Sequence, residues 1–465
     1  MPVTGAIMVP HPPIILPEVG GGEEEKIRDT IRAYDEAAQF VASLKPDTLI
    51  VTSPHSVMYA DYFHISPGMR ARGDMGAFRA PSVKFDVDYD NELTDRLARK
   101  ALHLDFPAGV LGEKDASLDH GTMVPLYFIN KYYTDYRLVR IGLSGLSLPE
   151  HYRFGMIIKE VCEELGRKTV LVGSGDLSHK LLAEGPYGFS KEGPEYDERI
   201  MDVMGRAAFL ELFDFDESFC DKAAECGHRS FCIMAGALDG CELETRRLSH
   251  EGTFGVGYGI CTYRVTDGSG NASDRQFLKM WEEKKLAGLN ERRAAEDPYV
   301  KLARETIESY IRDGKKPALP SGLPDDMTSR RAGVFVSIHK EGRLRGCIGT
   351  ISSVYDCIGN EIIENAISAS TRDPRFDPIR VHELPMLEIN VDVLSEAEDI
   401  KSKDELDVKR YGVIVTKGYK RGLLLPNLDG VDTVDEQVAI ALRKAGLSEN
   451  EKGYSLQRFE VVRHI

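Results

Sequence analysis

The sequence predicts an α/β fold for the N-terminal half, with helices on both faces of a sheet, followed by an α+β unit. Two observations predict this arrangement. Over the first 265 residues, short apolar runs alternate with longer amphipathic stretches, as in strands connected by helices. The second half has a different order of strands and helices, and 465 residues are too many for one ordinary core.

The elements of the first half follow from these runs. Predicted strands are 6–9, 47–53, 136–143 and 168–172, and predicted helices are 23–44, 90–102 and 151–165. We expect the second strand to pair beside the first. In sheets of this kind, functional residues gather at the carboxyl ends of the strands.

A polar, glycine-rich stretch over 266–273 ends the first half, and residues 274–294 are rich in Lys, Glu and Arg. We therefore predict a first domain over 1–265, a linker over 266–296 and a second domain over 297–465. Predicted elements of the second domain are helix 298–311, strand 333–339, loop 344–349, helix 353–369, strand 387–394, helix 435–445 and strand 459–463.

The composition excludes several classes of protein. A formal net charge of −16 argues against general binding to nucleic acids or to anionic membranes, which both require a basic surface. No stretch approaches the roughly 18 apolar residues of a membrane span. The N-terminus lacks the basic region of a signal peptide, and the eight cysteines include no Cys-x-x-Cys pair. We expect a cytoplasmic protein with reduced thiols.

Four histidines occupy positions that favour chemistry. His11 is flanked by prolines that fix its backbone, His55 follows the second predicted strand, and His120 and His179 lie in predicted loops. Two neutral imidazoles and one carboxylate leave open positions on Fe(II), the arrangement used in oxygen activation. The other two histidines could transfer protons near neutral pH. Alternatively, each is an ordinary hydrogen-bonding loop histidine.

These motifs bring a family into view. The first 265 residues resemble the catalytic subunit of class III extradiol ring-cleavage dioxygenases and the related Memo-like proteins. The resemblance rests on His-Pro-Pro after the first strand, Ser-Pro-His after the second, Asp-His-Gly-x-x-Val-Pro-Leu, and Leu-Ser-His. It implies that His11 and His55 are iron ligands, that His179 is a catalytic acid and base, and that His120 hydrogen-bonds the substrate or the oxygen.

The third ligand has two candidates. The dioxygenases place a glutamate at the start of a late helix, and Glu225 is its counterpart here, although Phe231 replaces the Trp that follows. Memo-like proteins instead present Cys-Gly, as Cys226 does, and an Asp three residues before the histidine, as Asp176 is placed before His179. A thiolate favours copper(I) or zinc, whereas a carboxylate favours Fe(II).

We expect Glu225 and Fe(II), with Cys226 and copper or zinc as the alternative. Each residue also has a purely structural interpretation. Glu225 would then be a carboxylate that interacts with the dipole at a helix N-terminus, and Cys226 a small buried apolar residue.

The second half resembles the AMMECR1 domain. The resemblance rests mainly on the hexapeptide Leu344-Arg-Gly-Cys-Ile-Gly349, supported by Arg372-Asp-Pro-Arg-Phe376 and Arg421-Gly-Leu-Leu-Leu-Pro426. Within the hexapeptide, Arg345 could bind an anionic ligand, Gly346 could let the backbone approach that ligand, and Cys347 could act as a nucleophile. The alternative is a tight turn with a buried cysteine.

Three functional hypotheses follow. The first is a metal-dependent oxidoreductase that uses dioxygen to cleave a catecholic small molecule. The second is a Memo-like metal or redox protein that acts with a radical-SAM partner, which another chain must supply because no Cys-x-x-x-Cys-x-x-Cys motif is present. The third is a two-domain binding scaffold. The oligomeric state stays open, a homo-oligomer included.

Overall fold

The computed structural model describes residues 2–114, 117–267, 272–340, 342–428 and 430–465. The chain divides into two compact units, Met1–Glu282 and Glu283–Ile465. The division falls within a helix, Phe277–Ala295, inside the segment predicted as a linker. Part of the predicted polar stretch, residues 268–271, lies outside the described residues.

The first unit is an α/β structure, as predicted. Its strands are β1 (Val3–Val9), β2 (Thr48–Ser53), β3 (Phe63–His64), β4 (Arg70–Met75), β5 (Ala80–Asp88), β6 (Ala108–Gly109), β7 (Arg137–Gly142), β8 (Thr169–Ser174), β9 (Glu242–Glu251) and β10 (Tyr258–Asp267). Its helices are α1 (Pro17–Gly20), α2 (Arg28–Leu44), α3 (Asn91–His103), α4 (His120–Ile129), α5 (Leu148–Leu165), α6 (Glu192–Arg206), α7 (Glu217–Ala223) and α8 (His228–Gly236).

The main sheet has the strand order β7-β2-β8-β1-β10-β9. The strands β7, β2, β8 and β1 are parallel, and β10 and β9 continue the sheet in antiparallel pairing. The prediction that the second strand pairs beside the first is wrong, because β8 lies between β1 and β2. A short-range sequence pattern cannot show this, since all these strands are buried apolar runs with the same composition.

Helices cover both faces of this sheet. Ile7 and Val9 belong to a core cluster with residues of α2 and α4, whereas Ala6 and Met8 belong to a second cluster with residues of α5 and α8. Alternation of side chains along a strand therefore places neighbouring residues of β1 in different cores. This explains why β1 reads as a continuous apolar run.

The second unit contains both sheets and helices. After α9 (Phe277–Ala295) its helices are α10 (Pro298–Asp313), α11 (Asp325–Ser329), α12 (Ile358–Thr371) and α13 (Val434–Lys444). Its strands are β11 (Val334–Lys340), β12 (Arg343–Gly349), β13 (Leu387–Leu394), β14 (Glu398–Ile400), β15 (Gly412–Lys417), β16 (Lys420–Leu424), β17 (Ser455–Phe459) and β18 (Val461–His464).

These strands form two sheets with the orders β12-β11-β13-β18 and β14-β17-β15-β16. The predicted loop 344–349 is wrong, because these residues belong to β12 and pair with β11. Glycines are depleted in strands, so the two glycines of this segment give it a low predicted strand propensity. The predicted last strand 459–463 contains parts of β17 and β18, which belong to different sheets.

Among the described residues, every helix is too short or too polar to span a lipid bilayer.

Candidate metal centre

Two histidines lie at one edge of the main sheet because the strands before them are parallel. His11 follows β1, which ends at Val9, and His55 follows β2, which ends at Ser53. Between these strands lies β8, whose last residue is Ser174. The carboxyl ends of the three strands thus bring both imidazoles together over the end of β8.

Hydrogen bonds fix the orientation and the tautomer of His11. Its Nδ1 lies 2.9 Å from Ser174 Oγ, and that hydroxyl donates to the Gly121 carbonyl at 2.6 Å. Because the hydroxyl hydrogen is used in this way, Ser174 accepts a hydrogen from Nδ1 of His11. The lone pair of His11 is therefore on Nε2, the nitrogen that can bind a metal.

The Nε2 atom of His11 faces two further donor atoms. It lies 3.0 Å from Nε2 of His55 and 3.6 Å from Sγ of Cys226. The donor atoms of these three residues all lie within 4.8 Å of one another. The backbone N–H of Asp176 donates to the same Sγ at 3.3 Å, which favours negative charge on sulfur.

A close approach between two glycines brings Cys226 to this position. A Cβ on Gly175, in the loop after β8, would lie 2.1 Å from Cα of Gly227. No other residue type fits there, because real Cβ atoms are not found so close to backbone atoms. The loop after β8 and the start of α8 can therefore touch, which places Cys226 beside the imidazoles.

Glu225 is not among the residues that the fold brings together here. Its carboxylate accepts a hydrogen bond from the backbone N–H of His228, the first residue of α8, at 2.6 Å. It thus satisfies one of the unpaired N–H groups at the helix N-terminus, where the helix dipole also favours a negative charge. This is the structural role that the sequence offered as the alternative.

Asp176 and His179 form a second group with Cys226, and their donor atoms again lie within 4.8 Å. Nδ1 of His179 lies 2.6 Å from the Ala224 carbonyl, to which it donates, so that Nε2 is unprotonated in the neutral ring. This Nε2 lies 3.9 Å from Oδ2 of Asp176, and Oδ1 of Asp176 accepts from the N–H of His11 at 2.8 Å.

His120 is the first residue of α4 and was predicted to lie in a loop. That prediction is wrong, since α4 begins at His120. A proline normally breaks a helix, and Pro125 lies inside α4, so the local sequence does not indicate a helix here. Asp119 begins the helix by accepting from the N–H of Thr122 at 3.0 Å. The ring centroid of His120 lies 3.9 Å from that of His55, so the helix start completes the group of histidines.

Burial keeps these imidazoles neutral. It lowers the pKa of His11 to about 3, with a further contribution from His55, and it lowers the pKa of His120 to about 3 for the same reasons. Burial also raises the pKa of Asp176 to about 6 and raises that of the Cys226 thiol well above its ordinary value. Neutral imidazoles at pH 7 are the form that binds metals.

A cavity of about 740 Å³ opens above this group. His11, His55, His120, Asp176 and His179 line it on one side. Its other walls are mainly apolar, and among them are Pro12, Ile14, Phe78, Leu182, Val256 and Tyr258. The site thus combines a group of donor atoms with room for a small organic molecule.

The donor set fits a metal ion. Two imidazoles and one thiol converge from rigid positions, one imidazole is oriented by a hydrogen bond to its far nitrogen, and the open cavity leaves room for further ligands. Copper(I), zinc and iron all accept such donors, and the sulfur favours the softer metals.

Comparison with known families identifies both halves of the chain. The model of the family described as the catalytic LigB subunit of aromatic ring-opening dioxygenase matches residues 5–261, more than half of the chain. The chain belongs to this family. The AMMECR1 family model matches residues 300–464, so that an AMMECR1 domain follows the LigB domain.

Relatives of the whole chain and of parts of it are known. Protein CA_C1420 of Clostridium acetobutylicum is 41% identical over 472 residues, which cover 100% of this chain and 99% of that protein. A Thermotoga maritima protein is 48% identical over 170 residues, which cover 36% of this chain and 98% of that protein.

Two crystal structures are also similar to parts of the chain. PH0010 from Pyrococcus horikoshii has a TM-score of 0.34 and 32% identity, and the match covers 36% of this chain and 88% of that chain. JW3007 from Escherichia coli K12 has a TM-score of 0.39 and 15% identity, and the match covers 56% of this chain and 99% of that chain.

In the AMMECR1 domain, the three predicted site residues Arg345, Gly346 and Cys347 have different surroundings and do not converge on one site. Arg345 has no partner in the register between β11 and β12, and its guanidinium binds the carboxylate of Glu383 through Nε at 3.1 Å and Nη2 at 3.0 Å. Gly346 lies against α12, where a Cβ would be 2.2 Å from the Ala369 carbonyl oxygen. Cys347 lines a cavity to which neither Arg345 nor Gly346 contributes.

Sequence reasoning did not select two residues that position the LigB-domain site. Ser174 fixes the tautomer of His11, and Asp119 begins the helix of His120. Asp119 stands inside the Asp-His-Gly motif, directly before His120, and Ser174 is the last residue of β8, a few residues before His179. Both residues could have been recognised from the sequence, since a polar residue at the end of a strand or directly before a helix often hydrogen-bonds a ligand residue or caps the helix.

Proposed function

We propose that the LigB domain binds a transition metal through His11, His55 and Cys226 and that it is a metal-dependent redox protein for a small organic molecule. The observation that carries the proposal is the convergence of these three donor atoms within 4.8 Å of one another, beside a largely apolar cavity that both imidazoles line. When bound, the metal would supply redox chemistry or polarise a bound oxygen atom.

The protein residues around this centre can hold and move a proton. Nε2 of His179 is available as an acceptor, because Nδ1 donates to the Ala224 carbonyl. Asp176 lies beside it, and burial raises the pKa of this carboxyl group, which favours its protonated form more than in an exposed aspartate. Apolar residues of the cavity wall, such as Phe78 and Tyr258, exclude water and offer surface to an aromatic or aliphatic ligand.

A cobalt(II) titration of the full chain tests the ligand set. We expect the wild-type protein to show a thiolate-to-cobalt charge-transfer band in the near ultraviolet. The variant Cys226→Ser should lose that band and bind cobalt at least about 100-fold more weakly, since even residues that only support ligands contribute about 10–100-fold.

The matched control is Glu225→Gln, which keeps an acceptor for the N–H of His228. It should retain both the band and the affinity. If Glu225→Gln loses metal and Cys226→Ser keeps it, the proposed ligand set is wrong and a carboxylate site takes its place.

Ring cleavage is the second candidate function. Family membership favours it, because dioxygenases of the LigB family typically use non-haem iron, and so does the placement of His120 and His179 at the cavity. The test is anaerobic reconstitution with Fe(II), followed by addition of oxygen and a panel of catechols. Formation of ring-opened products would establish this function, and turnover of no catechol would leave the first proposal.

A further inference from the structure

The AMMECR1 domain contains a cavity of about 690 Å³ that the proposed function does not use. Residues of β11, β12, β13, β16, β18 and the end of α13 line it, so both sheets of this domain contribute to its walls. Phe335, Leu344, Leu423, Leu424 and Leu425 form an apolar part of the wall. A cavity of this size accommodates a small organic molecule.

Three cations line the same cavity, namely Arg375, Lys444 and Arg463. Two of them are paired with buried carboxylates. Arg375 binds Asp373 through Nε at 2.9 Å and Nη2 at 2.6 Å, and Arg463 binds Asp392 through Nε at 2.8 Å and Nη2 at 3.1 Å. Each guanidinium thus uses one edge for its aspartate and leaves Nη1 for another acceptor.

Lys444 differs from the two arginines. Among the described residues, no carboxylate lies within ion-pair distance of its ammonium group. Three cations against two carboxylates give the cavity a surplus of positive charge, in a chain whose formal net charge is −16. A surplus of this kind in a concave site attracts anions.

The thiol of Cys347 lies in the wall of this cavity, and its backbone is held on both sides. Its N–H donates to Oδ2 of Asp373 at 2.9 Å, and its carbonyl accepts from Nη2 of Arg375 at 3.1 Å. The hydroxyl of Ser337 lies 3.2 Å from Sγ. Cys347 is therefore hydrogen-bonded through its backbone to Arg375, one of the three cations that line the cavity.

We propose that this cavity is a binding site for a small organic anion. Its carboxylate or phosphate group would lie among Lys444, Arg375 and Arg463, and its apolar part would lie against the leucines of residues 423–425, with the thiol of Cys347 within reach. This site is independent of the metal centre, because all its residues belong to the second compact unit.

Alkylation of Cys347 in the full-length protein tests the proposal. The probes are iodoacetate, which is an anion, and iodoacetamide, its neutral analogue, with rates at Cys347 measured by mass spectrometry of its peptide. The reference is a capped peptide of residues 344–349, which has the same sequence and no cavity. We expect the rate ratio of iodoacetate to iodoacetamide to be at least about tenfold higher in the protein than in the peptide.

Two lysine variants form a matched pair. Lys444→Gln should reduce the preference for iodoacetate, whereas Lys301→Gln, on the exposed side of α10, should leave it unchanged. Equal ratios in protein and peptide would overturn the proposal. So would a thiol that reacts with neither reagent, since it would not be accessible from the cavity.

Protection by unreactive compounds tests the ligand class. Hexanoate and hexyl phosphate should slow the alkylation of Cys347 by iodoacetamide, and comparison of the two separates a carboxylate site from a phosphate site. Acetate should protect less well because it lacks the apolar part. Equal protection by hexylamine would overturn the assignment to an anion.

Discussion

Two thiols of the described residues lie close to large cavities, and the surroundings of the two thiols differ: Cys226 lies beside two imidazoles that line one cavity, and Cys347 lines the other. Cys226 lies among imidazoles that burial keeps neutral, with pKa values of about 3 for His11 and His120. Cys347 lies among guanidinium and ammonium groups, two of which are bound to aspartates.

The charge of the groups next to a thiol decides which ligand the site favours. Neutral nitrogen donors next to a thiol provide lone pairs, and a metal cation is the partner that such a group favours. Cations next to a thiol repel a metal and attract an anion instead. The same residue type therefore supports opposite ligand charges in the two halves of one chain.

The largest effect that sharpens this comparison is the loss of a single imidazole. We expect His55→Ala to weaken cobalt(II) binding at least about 100-fold, because it removes one of three protein donors. The preference of Cys347 for iodoacetate should not change in this variant. Conversely, Lys444→Gln should leave the affinity for cobalt unaltered. If His55→Ala changed the alkylation of Cys347, or Lys444→Gln changed the binding of cobalt, the two sites would not be independent.

Acid should affect the two domains at different pH. His151, fully buried in α5, has its pKa lowered from 6.5 to about 3 by burial. Between these values the unfolded chain binds a proton at His151 that the folded chain does not, so this imidazole alone removes about 1.4 kcal/mol of stability from the LigB domain per pH unit as the pH falls. In the AMMECR1 domain, hydrogen bonds from Arg345 and Arg380 outweigh burial and lower the pKa of Glu383 from 4.5 to about 2. Its contribution is therefore lost only below pH 4.5.

The single tryptophan of the chain, Trp281, contacts Phe213 of the LigB domain and reports unfolding of that domain by fluorescence. Hydrogen exchange of α12 peptides reports on the AMMECR1 domain. We expect Trp281 to respond first on acidification. The control His151→Gln should have a shallower dependence on pH between 6.5 and 3, and an unchanged slope would contradict the role of this imidazole.

The smallest effects concern two glycines of the second unit. Gly346→Ala should destabilise it by about 1–3 kcal/mol, because the new Cβ would lie 2.2 Å from the Ala369 carbonyl oxygen. Gly288→Ala, in helix α9 with nothing within 4 Å of the new Cβ, should instead stabilise by about 1 kcal/mol. Urea unfolding of both variants measures the difference in the free energy of unfolding. Equal effects would contradict the steric role of Gly346 against α12 and would favour another role, such as contact with a ligand.

Much of the candidate site could be predicted because its residues stand at strand ends. His11 and His55 follow buried apolar strands, and such strands are recognisable from composition alone. The start of α4 was missed because Pro125 contradicts a helix locally, whereas the packing of Val124 and Leu126 into the core, which a local pattern does not show, helps to stabilise it. The strand β12 was missed because glycines have low strand propensity, yet Gly346 is required by the contact with α12.

The sequence by itself determined two domains' families, the α/β class of the first half, and the histidines that meet at one edge of its sheet. Only the tertiary structure shows which of Glu225 and Cys226 lies beside His11 and His55, and it is Cys226. The two are neighbours in the chain, so no spacing separates them, and the choice depends on where helix α8 begins. Because α8 begins at His228, Glu225 binds its N-terminus, while the contact of Gly175 with Gly227 turns Cys226 to the imidazoles.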